Sequence, residues 1–334
     1  MALRMVEIMI PDTQREALKT ELDRMELEEI WEEELLEDTF RVRILFPGNK
    51  VEPVTDQLQQ RFSNVERFRM VISPVEATIP RPEPEEEEKD EEEENGTTTA
   101  EVSRDELRAE LSDAVRTSWS YFLMLVLSGV VAAFGFYRNN IALLIGAMVI
   151  APIIGPNVGL AFATTIGDLQ LLFRSLVSTF LGAASVFVAV TGIGMIQPVQ
   201  LEQLPHLQTF TEIGYGDLIL GMCAGAAGTL TYTRNFSTSL VGVMVAVALL
   251  PPLAASGLLL GSQYYPEGGK ALLLAINNIV SIIVAANLTF LLQGIRPIDW
   301  WQEDGRRTMT LAAMSMWAVL LVLLIAITYF LQVN

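Results

Sequence analysis

The chain has 334 residues, 51% of them hydrophobic, with a net charge of −18 and a mean hydropathy of +0.38, which excludes an ordinary soluble domain and calls for long apolar runs. The charge is uneven: residues 1–118 hold 32 of the 40 acids and 15 of the 22 bases, and residues 119–334 are nearly neutral. An acidic water-soluble part therefore precedes a membrane part, and its sign excludes nucleic acid and anionic lipid as partners of the soluble part.

Residues 1–79 read as a small α+β domain. RMVEIMIP is a strand, and DTQREALKTELDRM is a helix with Asp12 as its N-cap and apolar spacing at Ala17, Leu18, Leu22 and Met25. LEEIWEEELLE is ambiguous, because its glutamates favour helix and its neighbour favours pairing as a strand. DTFRVRILFP alternates as a strand, VEPVTDQLQQRFS is a helix, and VERFRMVISPVEATIP closes the order as a strand. That order, β-α-β-β-α-β, is the ferredoxin-like plan, a common home for small-molecule regulatory sites.

Residues 80–102 are an acidic, low-complexity stretch with ten acids within 81–94, expected as a disordered linker. Residues 103–118 form an amphipathic lead-in helix, with a Ser103–Glu106 capping box and an apolar stripe at Leu107, Leu111, Ala114 and Val115. The opening residues lack a basic segment followed by an apolar core, so the first apolar stretch is expected to direct insertion.

The transmembrane domain, residues 119–334, contains seven apolar stretches: 119–137, 141–165, 175–197, 217–233, 238–261, 271–292 and 310–331. With the N-terminus inside, Arg104, Arg108, Arg116, Arg174, Arg234, Arg296, Arg306 and Arg307 flank the cytoplasmic side, against Arg138 and Lys270 outside. Trp119, Tyr121, Trp300, Trp301 and Tyr329 sit near the segment ends as interfacial anchors. Cys223, the only cysteine, excludes an intrachain disulfide and is expected as a small packing residue. Gly221 and Gly225 make a GxxxG pair, and with Gly182, Gly192 and Gly194 they favour close helix contact within or between subunits.

A shift of 96 residues aligns RNNIALLIGAMVIAPIIGP, 138–156, with RNFSTSLVGVMVAVALLPP, 234–252. Gly129 falls on Gly225, Arg138 on Arg234, Asn139 on Asn235, Gly146 on Gly242, Met148 on Met244, Val149 on Val245 and Pro156 on Pro252. Each unit has three spans, so the two halves run in opposite directions as an inverted repeat, and the seventh span stands apart. Proline removes an N–H, so carbonyls near 148–152 and 247–248 are expected to be free, and both second helices to be broken. The candidate pathway residues are Gly146, Pro152, Gly155, Pro156, Asn157, Gly242, Pro251, Pro252, Asn277, Asn278 and Asn287, with the repeat-related turns at Arg138, Asn139, Arg234 and Asn235. In the alternative reading the prolines only kink packed helices and the asparagines bond between helices.

No Asp, Glu, Lys or Arg lies deep in a span, so a site there would suit a neutral solute, Na⁺ at carbonyls, or an anion at helix N-termini. TEIGYGD, 211–217, has the later positions of a potassium-channel filter, but Glu212 replaces the threonine and Pro205 disrupts the preceding segment. An outer turn is the reading for this stretch, with His206 a solvated loop residue. Residues 138–175, with ALLPPL at 248–253, resemble the uncharacterised prokaryotic membrane family named domain of unknown function 389. The Ile-Gly-Ala-Met run at 145–148, Pro152, Pro156 and the Gly167–Asp168 pair carry the resemblance. It implies a bacterial or archaeal plasma (inner) membrane protein, often with a soluble N-terminal extension, and no established activity.

The expected function is a transporter or channel for a small solute or ion, with the N-terminal domain cytoplasmic and regulatory. The alternative is a membrane-anchored ligand sensor or an oligomeric scaffold without transport. The expected partners are the lipid bilayer, a small solute or ion, a small-molecule regulator at the N-terminal domain, and further copies of the chain in a homo-oligomer. No cofactor, metal or enzymatic activity is expected, because the spans contain no nucleophile–base pair and no His/Cys/Asp cluster.

Overall fold

A computed structural model describes residues 3–25, 30–35, 39–75, 102–234, 238–295, 314–323 and 325–326. The acidic run at 81–94, Asn235, the arginines at 296, 306 and 307, Trp300, Trp301 and Tyr329 lie outside these residues. The chain forms two compact units, Met1–Arg108 and Ala109–Asn334.

The first unit contains β1 (Leu3–Pro11), α1 (Arg15–Asp23), β2 (Ile30–Leu35), β3 (Thr39–Pro47), α2 (Gly48–Phe62) and β4 (Arg69–Val75). Its sheet is antiparallel throughout, in the order β2-β3-β1-β4. Period-two alternation puts Val6, Ile8 and Ile10 of β1 and Phe40, Val42 and Ile44 of β3 into one core with Leu18, Leu22, Val51 and Leu58 of the helices. The glutamate-rich segment resolves as β2, because tertiary pairing outweighs its helix propensity. Its acids meet bases across the sheet and from α1: Glu33 lies 3.4 Å from Arg41, and Glu32 lies 2.7 Å from Lys19. Asp12 does not cap α1: it sits in a short 3₁₀ turn, Asp12–Gln14, ahead of the helix, which has no side-chain cap bond. Ser103 accepts from the Glu106 N–H at 3.3 Å, while the Glu106 carboxylate takes Arg4 at 2.9 Å.

After α3 (Arg104–Ala114), the second unit contains α4 (Trp119–Tyr137), α5 (Ile141–Ile150), α6 (Ile154–Ile166), α7 (Leu169–Ile196), α8 (Tyr215–Thr233), α9 (Thr238–Gly261) and α10 (Tyr265–Leu292). The helices α4, α7 and α10 are each long and apolar enough to cross a membrane, and α5 with α6 makes a bent pair, turned by 55°. The expected seventh stretch appears among the described residues as one short apolar helix, Met314–Leu323. One stripe of α7, including Ser175, Ser178, Gly182, Val186 and Val190, is buried. The opposite stripe leaves Phe180 70% and Val188 68% exposed, as suits a face against lipid tails rather than water. Cys223 is exposed on α8 rather than packed.

Contacts fix the relative directions of the helices. Along α4 and α7, the Tyr121 hydroxyl donates to Ser178 O at 3.3 Å near the starts, and the Tyr137 hydroxyl donates to Gln197 O at the far ends. Between them Gly129 faces Val186, so α4 and α7 run parallel. The intervening α5–α6 pair therefore carries the chain back to the side on which α4 began. In the same way α8 and α10 are parallel: Gly221 meets Asn278, Gly225 meets Ile282, and the Gln293 side chain donates to Thr233 Oγ1 at 2.9 Å. The helix between them, α9, opposes α10, with Ala248 beside Asn278 and Ser256 beside Gly268. The Gly221–Gly225 pair thus makes its close contacts inside the chain, against α10.

Loop residues end these helices for identifiable reasons. Gly167 has φ 71°, the left-handed region, and Asp168 then caps α7 by accepting from the Gln170 and Leu171 N–H groups at 3.0 Å. Arg138 ends α4, Asn139 has φ 46°, and Asn140 caps α5 by accepting from Ala142 N–H at 2.9 Å. Arg234 likewise ends α8. TEIGYGD opens α8: the Gly214 N–H donates to Asp217 Oδ2 at 2.8 Å, so the stretch is a helix start. His206 is half-buried, and its N–H donates to Asn139 Oδ1.

Candidate functional site

The first proline segment breaks its helix. Pro152 disfavours helical geometry at the preceding residue, and Ala151 accordingly takes φ −74°, ψ 115° and ends α5. Pro156 falls in the first turn of α6, where its missing N–H costs nothing. The end of α5 leaves carbonyls without intrahelical donors. One of them, Ala147 O, accepts from Ser128 Oγ of α4 at 2.6 Å. Replacing Ser128 with alanine is expected to cost about 1–3 kcal/mol by orphaning that carbonyl, read as a lower melting temperature in detergent.

The second proline segment does not break its helix. The expectation for Pro251 and Pro252 is corrected: α9 runs from Thr238 to Gly261 with both prolines inside. Pro252 cannot donate to the carbonyl four residues earlier, that of Ala248. Asn278 Nδ2 of α10 takes that role at 2.7 Å, and this interhelical bond lets the helix continue. The carbonyl is therefore satisfied by protein, one of the two outcomes left open by the sequence.

The two proline segments converge on one cavity of about 30 Å³. Its walls come from five helices and the break: Tyr121 and Leu125 of α4, Ile153, Pro156 and Asn157, Thr179 and Val186 of α7, Leu249 and Leu253 of α9, and Ala275 and Ile279 of α10. Asn157 is completely buried; its Nδ2 donates to Ile153 O at 2.8 Å, and its Oδ1 has no partner. Thr179 Oγ1 is also without a partner. No charged side chain lines this cavity.

Of the predicted pathway residues only Pro156 and Asn157 line it; the others lie elsewhere. Asn287 Oδ1 accepts from Thr165 Oγ1 of α6 at 3.0 Å, and its Nδ2 is unpartnered. Asn277 is completely buried, with neither side-chain polar atom bonded. Gly155 receives α3 closely, since a Cβ there would lie 2.8 Å from Ala114 Cβ. Gly159, which the sequence reading passed over, similarly receives Val115. Gly146 has open space around it, and Gly242 lies in α9. Ser128 and Thr179 were also missed, and Tyr121, expected as an interfacial anchor, is buried beside the cavity. Mid-span hydroxyls are the signal that marks Ser128 and Thr179, but only packing separates them from hydroxyls that bond their own helix. Among the described residues, no three His, Cys, Asp or Glu side chains gather where they could share a metal ion.

A small antiparallel N-terminal sheet followed by apolar helices, several long enough to cross a bilayer and exposing large apolar faces, defines the class: a membrane-associated helical protein with a small N-terminal α+β unit. Within that class the chain belongs to the family described as domain of unknown function DUF389, whose sequence profile matches residues 148–284. It is 33% identical over 283 residues to the uncharacterized protein MJ0678 of Methanocaldococcus jannaschii, an alignment covering 84% of this chain and 85% of that protein. No solved structure matches the chain.

Proposed function

We propose that the membrane unit is a passage for a small solute or ion, built from two inverted three-helix units. It performs no covalent chemistry, and the N-terminal sheet domain is a cytoplasmic regulator. The observation that carries this reading is the convergence of both proline segments on one cavity with an unpaired, fully buried amide oxygen. The repeat is supported by contacts as well as sequence. Gly182 against Leu125, Gly129 against Val186 and Tyr137 with Gln197 recur 96 residues later as Asn278 against Gly221, Gly225 against Ile282 and Thr233 with Gln293. Parallel first and third helices in both halves, and the opposition of α9 to α10, fit an inversion. Arg104, Arg108, Arg116, Arg174 and Arg234 mark the inner side.

A second reading, an anchored sensor or scaffold, draws on the satisfied bonds Asn278–Ala248 and Thr165–Asn287, which make those polar groups interhelical glue. Cysteine labelling separates the two. In a Cys223→Ser background, Thr179→Cys and Asn157→Cys are expected to react with methyl methanethiosulfonate, a small uncharged reagent that needs a hydrated thiolate. Val188→Cys, on the exposed apolar face, is expected not to react. Unreactive cysteines at both cavity positions in folded protein would favour the dry bundle.

A further inference from the structure

The cavity chemistry discriminates between solute classes, and this inference rests on the passage reading above. Its unpartnered side-chain polar atoms, Asn157 Oδ1 and Thr179 Oγ1, are oxygens that can accept. The Asn157 amide is oriented by its own backbone: Nδ2 must face the Ile153 carbonyl, so Oδ1 faces away as an acceptor. The Tyr121 hydroxyl spends its hydrogen on Ser178 O, leaving an oxygen that can only accept. Thr179 Oγ1 can do either. The one N–H donor among the lining side chains, the Asn157 amide, spends one hydrogen on Ile153 O, so only its second hydrogen is left to meet an anion.

A bare cation fares little better. Hard cations take about six oxygen ligands. Here three side-chain oxygens stand among Leu125, Ile153, Val186, Leu249, Leu253 and Ile279. Such walls do not replace a hydration shell, and an unpaired charge among them is strongly disfavoured. A neutral molecule carrying N–H or O–H groups meets the opposite situation. Its apolar parts contact the walls, and its donors satisfy oxygens that are otherwise buried without partners. The size, about 30 Å³ open to the centre of a water molecule, admits only a few heavy atoms, since one water needs roughly 10–15 Å³ by the same measure.

We infer that the cavity at Asn157, Thr179 and Tyr121 is a binding site for small uncharged hydrogen-bond donors, and that the membrane unit passes such molecules and not ions. The test uses the full chain reconstituted in liposomes and in planar bilayers. Stopped-flow light scattering measures flux of water, formamide and urea; bilayer recording measures current in NaCl and KCl. The expected result is flux of at least one of the three neutral probes several-fold above protein-free vesicles, with no current above the bare bilayer. Thr179→Val, nearly unchanged in volume, is expected to reduce that flux at least five-fold, and Asn157→Leu to abolish it. Ion current without neutral flux overturns this inference and leaves the passage reading standing. Neutral flux indifferent to Thr179→Val and Asn157→Leu in folded protein overturns the assignment of the site. Neither flux nor current overturns both readings.

Discussion

Replacing Gly225 with alanine is expected to lower the melting temperature of the solubilised protein by several degrees, whereas the same replacement at Gly192 leaves it unchanged or raises it. Both positions are helical glycines, and alanine gains about 1 kcal/mol of helix propensity at either. The difference lies in what the new methyl group would meet. At Gly192 nothing lies within 4 Å. At Gly225 the methyl would drive into the carbonyl oxygen of Ile282, with Ile282 Cα at 2.8 Å. Those are backbone atoms of α10 and cannot rotate aside, so α8 and α10 must separate. Overpacking of this kind costs about 1–3 kcal/mol or more, which outweighs the propensity gain. A domain of this size loses about 2–4 °C per kcal/mol. Gly129, on α4, faces the side-chain tips of Val186 and Val190 at 3.0 and 3.2 Å, so alanine there is expected to give an intermediate shift. Equal melting temperatures for the Gly225 and Gly192 variants would refute the close α8–α10 contact.

The second large effect is a coupling between Asn278 and Pro252. Asn278→Leu is expected to destabilise the protein by about 1–3 kcal/mol, because it leaves the Ala248 carbonyl unpaired in an apolar bundle. Pro252→Ala restores an N–H at the position that normally donates to Ala248. In that background the cost of Asn278→Leu is expected to fall substantially, since the carbonyl has a donor again. A double-mutant cycle measured by thermal or denaturant unfolding reads the difference directly. Additive effects of the two substitutions would mean that the asparagine serves some other group.

Several elements were legible in the residues themselves. Alternation in RVRILF and helical spacing at Leu18 and Leu22 locate a strand and a helix, because burial on one face imposes a period. Pro152 predicts an interruption, because proline restricts the residue before it. The glutamates of β2 pointed to two structures at once, and only their pairing partners decided between them. The Pro251–Pro252 helix shows the same limit more sharply. Local rules forecast a break there, yet α9 is continuous because a side chain 26 residues beyond Pro252, on another helix, replaces the missing donor.

By itself the sequence placed an acidic N-terminal part ahead of long apolar stretches and located most of the apolar helices. These depend on composition, periodicity and backbone chemistry, all of which are local. The tertiary structure alone decided which asparagines are bonded and which are not, that one proline segment breaks while the other continues, that Ser128 meets the Ala147 carbonyl, and that Tyr121 and Thr179 line one cavity with Pro156 and Asn157. The physical reason is that a buried polar atom is satisfied by whatever helix lies opposite it, and helix neighbours in a bundle are fixed by packing across the whole unit rather than by the residues on either side.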